Sequence, residues 1–123
     1  MNPAEIILLG HGSRRAEANQ ELLVVAEKVS RLIGRSVSAA FMGHGSPGFP
    51  EAVQAKIAAG ATRIVVMPLF LFRGIHVAID IHEEIREIRE QNPRVEIIFT
   101  KELGADDGIA GLAAARIREV TAD

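Results

Sequence analysis

The chain contains no cysteine, no tryptophan and no tyrosine. Without cysteine there can be no disulfide, thiolate metal site, iron–sulfur cluster or thiol nucleophile. Any metal would have to be held by nitrogen or oxygen from His, Asp or Glu. Five phenylalanines supply the large aromatic rings, so stacking on nucleobases is poorly provided for. An excess of positive charge is missing too. The formal net charge is −2 at pH 7, which leaves no basic footprint for nucleic acid. The longest apolar run, Ile64 to Phe72 (IVVMPLFLF), is far too short to span a bilayer. The start, MNPAEIILLGHGS, has no basic stretch before its apolar run and does not read as a signal peptide. These absences predict a cytoplasmic chain with no nucleic-acid or membrane partner.

What is present is enough to build a core. Of 123 residues, 48% are hydrophobic and 24% charged, which predicts one domain over residues 1–123. Glu5 to Leu9 is a nearly all-apolar run ended by Gly10, as expected of a parallel strand buried on both faces. Leu22, Leu23, Val25, Ala26, Val29 and Ile33 then recur at helical spacing, with Gly34 as the stop. Ser36 to Met42 reads as a second strand, Pro50 to Ala59 as a second helix. Thr62 to Phe72 is the strongest strand signal, with Pro68 near its end where a missing N–H is tolerable. Val77 to Gln91 predicts an amphipathic helix, with Ile79, Ile81, Ile85 and Ile88 inside. Val95 to Phe99 and Asp106 to Val120 complete the series as strand and helix.

This βαβαβαβα alternation predicts a three-layer, flavodoxin-like α/β fold. Its four-stranded parallel sheet should run in the order 2-1-3-4, with helices on both faces. Ligands of such sheets sit beyond the carboxyl ends of the strands where the winding reverses. Here that is between the first and third strands.

The residues predicted at this rim carry the chemistry. The first strand runs out into Gly10-His11-Gly12-Ser13 and the third into Phe72-Arg73-Gly74-Ile75-His76. Two imidazoles therefore converge on one crevice. Flanking glycines remove bulk and permit a sharp turn. Ser13 and the N–H groups opening the first helix suit an anion such as a carboxylate. Arg14, Arg15 and Arg73 add positive charge. A phosphate loop is disfavoured, because no Gly-x-x-x-x-Gly-Lys pattern follows. A Gly-x-Ser-x-Gly nucleophile elbow is absent as well. His82, in DIHEE, reads as part of a solvated helix face whose glutamates pair with Arg86 and Arg89.

The segments GHGSR and VVMPLFLFRGIHVAIDI, with AGATRIVVMPLFL and ELGADDGIAGL around them, are together quite specific. The chain resembles the small, single-domain sirohydrochlorin cobaltochelatases of the class II chelatase family, relatives of the nickel and iron chelatases. The resemblance covers nearly the whole chain. It implies insertion of a divalent metal into a tetrapyrrole without ATP or organic cofactor, by a homodimer closed around the substrate. His11 and His76 match the two catalytic histidines, as metal ligands and proton acceptors. Gly12, Ser13, Arg14, Phe72, Arg73, Gly74 and Ile75 would meet the carboxylate-rich substrate. Co2+ is the expected metal, with Ni2+ or Fe2+ as alternatives. A non-catalytic metal or tetrapyrrole carrier is the other reading. A receiver-type signalling domain ranks last, since the first strand ends without an aspartate.

A second GHGS, Gly43 to Ser46, ends the second strand. The family usually has glutamates in that stretch. Here Pro47, Pro50, Glu51 and Ala52 are kept, while Gly43 and Ser46 stand where the glutamates would be. The flanks differ, so this is not a true repeat. His44 is the expected third imidazole at the metal. His82 stands where the family commonly has proline, a favoured but dispensable residue at a helix start.

Overall fold

The computed structural model describes residues 3–71 and 75–121, and for 75–80 the backbone alone. Its elements are β1 (Glu5–Gly10), α1 (Ala16–Ile33), β2 (Val37–Phe41), α2 (Phe49–Ala58), β3 (Arg63–Pro68), α3 (Ile75–Gln91), β4 (Glu96–Phe99) and α4 (Asp107–Thr121). The strands form one parallel sheet in the order β2-β1-β3-β4. The predicted alternation and strand order are therefore those of the protein.

The apolar runs form central strands because both their faces are covered. On one face Ile7, Leu9, Ile64, Val66 and Ile97 meet Phe49 and Val53 of α2 and Ile81, Ile85 and Ile88 of α3. On the other, Leu8, Ala39 and Phe41 meet Leu22 and Ala26 of α1. Alternate residues of one strand thus enter opposite clusters, as a pleated strand requires. Each fully buried side chain of this size contributes about 1.5–3 kcal/mol. Gly34 ends α1 in the left-handed region and returns its N–H to the Ser30 carbonyl. The side chain of Ile79, predicted inside, lies outside the described residues.

Helix α4 differs from the other three, as it buries none of its residues. Leu112, Ile117 and Val120 are exposed there, and Leu23, Val24, Leu32 and Ile33 are exposed on α1. No helix among the described residues is long and apolar enough to cross a membrane.

One boundary bears on the site. The third strand was expected to reach Phe72, but β3 stops at Pro68. Proline has no N–H for the ladder. The next residue still bonds, Leu69 N–H to Leu9 O at 2.8 Å, and the chain then leaves the sheet. Helix α3 starts at Ile75, two residues ahead of the expected Val77. His76 consequently belongs to the first turn of a helix, rather than to the end of a strand.

Candidate functional site

The rim is built by two adjacent loops, Gly10 to Arg15 after β1 and Met42 to Gly48 after β2. Strand pairing sets Gly10 opposite Phe41. The pairing continues into the loops, with Met42 N–H on Gly10 O and Gly43 N–H on His11 O, both at 2.9 Å. The two GHGS copies are out of step in this register. His11 falls beside Met42, and the chain bends away from the strand direction before it reaches His44.

The loops touch through their backbones. Gly12 has φ +87°, and a Cβ built on it would stand 2.2 Å from the His44 carbonyl oxygen. Only glycine fits, on both conformational and steric grounds. The second loop closes on itself through Phe41 N–H to Pro47 O at 3.0 Å, and its Ser46–Pro47 peptide is cis.

His11 is exposed at the edge of the rim. Its ring lies 4.0 Å from that of Phe70, centroid to centroid, at 33°. Phe70 is buried, so one face of the imidazole rests on the core while its edge stays open. A cavity of about 320 Å³ adjoins it, lined by Gly10, His11, Ser13, Asn19, Leu22 and Phe41 among others.

Arg14 and His44 meet side chain to side chain, Arg14 Nε to His44 Nε2 at 3.3 Å. Guanidinium only donates, so His44 Nε2 is the acceptor of this contact. Ser13 is engaged on two sides: its N–H goes to Asn19 Oδ1 at 2.9 Å, and its Oγ accepts Arg15 N–H at 3.0 Å. The Ser13 hydroxyl proton remains to meet an anion, whereas its amide is already used. Gly43, Ser46 and His82 are all exposed.

The structure thus brings His11, Gly12, Ser13, Arg14 and His44 together. Phe72, Arg73 and Gly74 lie outside the described residues, as do the side chains of Ile75 and His76. Among the described residues, no group of three His, Asp or Glu side chains could hold a metal ion.

Asn19 and Phe70 belong to this site and escaped the sequence reading. Asn19 did leave a signal, since asparagine in a helical turn is unfavourable unless its amide bonds backward to the preceding chain. Phe70 left none, being one more apolar residue in an apolar run.

The CbiX family model matches residues 5–120. A sirohydrochlorin cobaltochelatase of Methanocaldococcus jannaschii is 33% identical over 132 aligned positions, covering 87% of this chain and 92% of that one. A sirohydrochlorin ferrochelatase of Priestia megaterium is 30% identical, covering 96% of this chain and 45% of that one. The chain thus spans about half the length of the ferrochelatase. Among solved structures, a CbiX protein of Marinobacter aquaeolei aligns with a TM-score of 0.82 at 26% identity, over 95% and 96% of the two chains. SirB of Bacillus subtilis, solved with Fe3+ and also in complex with cobalt, aligns with a TM-score of 0.87 in both, at 29% and 28% identity. In those alignments 98% and 95% of this chain match 48% and 50% of SirB. This chain belongs to the CbiX family, beside relatives named as sirohydrochlorin chelatases.

Proposed function

We propose that this protein inserts a divalent metal, Co2+ before Ni2+ or Fe2+, into sirohydrochlorin without ATP. The observation that carries this reading is the place of His11. It stands with one face on Phe70 and its edge open, at the sheet's winding reversal, beside a cavity and within reach of a second imidazole loop. Insertion of one M2+ releases two pyrrole N–H protons. The metal must be held loosely enough to leave, and the protons must have somewhere to go. Neutral imidazoles meet both needs, as ligands for Co2+ and Ni2+ and as proton acceptors. His11 and His76 take these roles, and His44 supplies a third nitrogen.

Arg14 and the Ser13 hydroxyl receive carboxylates of the substrate, with Gly12 giving the ring close access to the backbone. Phe72, Arg73, Gly74 and Ile75 are the remaining residues assigned to the substrate. Preference for cobalt follows the relatives that this chain aligns with nearly end to end, such as the Methanocaldococcus jannaschii cobaltochelatase.

The working unit is a homodimer in the cytoplasm. Among the described residues, every large exposed apolar side chain except Leu71 lies on α1 or α4. Surfaces of that kind mark interfaces. A cavity of about 320 Å³ is at the small end for a drug-sized ligand, so one copy covers only part of a macrocycle and a second can cover the rest.

The test follows the visible absorbance of sirohydrochlorin mixed with Co2+, with and without the protein, beside His11→Ala and His76→Ala. A faster spectral change that both variants lose is the expected result. No acceleration with Co2+, Ni2+ or Fe2+ overturns the enzyme reading in favour of a carrier.

A further inference from the structure

One carboxamide joins the two GHGS loops. Asn19 sits in the first turn of α1, half-buried. Its Oδ1 accepts Ser13 N–H at 2.9 Å, while its Nδ2 donates to Ser13 O at 2.9 Å and to His44 O at 3.2 Å. A carboxamide has two N–H donors, and here both are spent on carbonyls, one in each loop. The opposing constraint is Gly12, whose α-carbon packs against the same His44 carbonyl. Glycine contact stops the loops from closing further, and the amide stops them from parting.

Helix capping does not account for this arrangement. The residue at the N-cap is Arg15, and it makes no side-chain cap. A capping amide needs one acceptor oxygen on a nearby N–H. It has no need of a carbonyl 25 residues away in sequence, which Asn19 reaches.

We propose that Asn19 is a positioning residue that fixes the spacing of the His11 and His44 imidazoles and thereby sets how firmly the pair holds the divalent metal. This rests on the reading that both imidazoles meet the metal. Asn19 also lines the cavity beside His11. It acts by holding the main chain on which the two ligands are mounted, from the fixed base of a helix.

The experiment titrates the full-length protein with Co2+ alone, by calorimetry and by the visible ligand-field bands. It compares wild type, Asn19→Asp, His44→Ala and the double variant. Asn19→Asp keeps the shape and the acceptor but turns both donors into acceptors facing carbonyls. His44→Ala keeps the main-chain carbonyl that Asn19 holds. Asn19→Asp alone should weaken Co2+ binding roughly 10- to 100-fold, the effect usual for losing a ligand's supporting partner. In the His44→Ala background the same change should cost less than about twofold, because the spacing no longer matters. With sirohydrochlorin present, kcat should fall while KM holds.

Equal losses in both backgrounds would overturn the proposal, since Asn19 would then serve only to fold its own loop. So would unchanged binding by Asn19→Asp. If His44→Ala alone binds Co2+ like wild type, the metal reading of His44 fails first, and the proposal with it. Should Asn19→Asp not fold, Asn19→Gln, which moves the same amide by one methylene, is read in its place.

Discussion

Arg14 Nε stands 3.3 Å from His44 Nε2, so the guanidinium N–H points at the lone pair of the nitrogen proposed to meet the metal. Two proposed roles therefore compete. Arg14 can receive a substrate carboxylate or cover His44, and a carboxylate that draws it away leaves the imidazole open. Replacing Arg14 by alanine should tighten Co2+ binding by the free protein by roughly two- to fivefold, the scale of an exposed polar pair. It should at the same time raise the KM for sirohydrochlorin. Calorimetric titration and steady-state kinetics on the same preparation check the two directions. A loss of Co2+ affinity would show that Arg14 supports His44 instead of masking it.

Two glycine-to-alanine changes should act in opposite senses. Gly12→Ala would place a methyl 2.2 Å from the His44 oxygen at φ +87°. The backbone strain alone costs about 1–3 kcal/mol, and the loops must move apart. Gly111 lies in α4 with open space where its Cβ would be. Gly111→Ala should therefore stabilise by about 0.5–1 kcal/mol. Urea unfolding midpoints measure both, and insertion activity should be lost only in Gly12→Ala.

Phe70 gives His11 a floor. Phe70→Leu keeps most of the buried volume but removes the ring that the imidazole rests on. An aromatic pair is worth about 0.5–1.5 kcal/mol beyond its burial. If that contact holds His11 in its working orientation, kcat falls roughly two- to tenfold, with little change in thermal midpoint. A variant with full kcat would reduce Phe70 to a core residue.

The apolar side chains left open on α1 and α4 should be covered in solution. Sedimentation of the wild type is expected to give the mass of two chains. Leu112→Glu with Ile117→Glu should give one, with the fold retained, because neither residue is buried within a single copy. Such a monomer should also lose affinity for sirohydrochlorin. A monomeric wild type would rule out the dimer.

The alternation of buried runs with helical periods made the sheet legible in advance. Runs such as Glu5 to Gly10 and Arg63 to Pro68 follow from what burial on two faces demands, and parallel crossovers leave few strand orders. His11 and Ser13 could be placed because a strand end can be read from one segment. The contacts that define the rim could not. Arg14 with His44, and Asn19 with the His44 carbonyl, join segments 30 and 25 residues apart. They depend on how the two loops fold beyond the paired residues Gly10 and Phe41, which a pattern read along one segment does not contain. The end of β3 was missed for a different reason. The apolar run continues through Phe72 with no change in hydropathy at Pro68, where β3 ends.

The contact between Gly12 and the His44 carbonyl makes the two loops one unit. A methyl on Gly12 would stand 2.2 Å from that oxygen, so the second glycine of the first GHGS is required by where the second GHGS runs. The doubled word is therefore not two independent sites: one copy sets a condition on the main chain of the other.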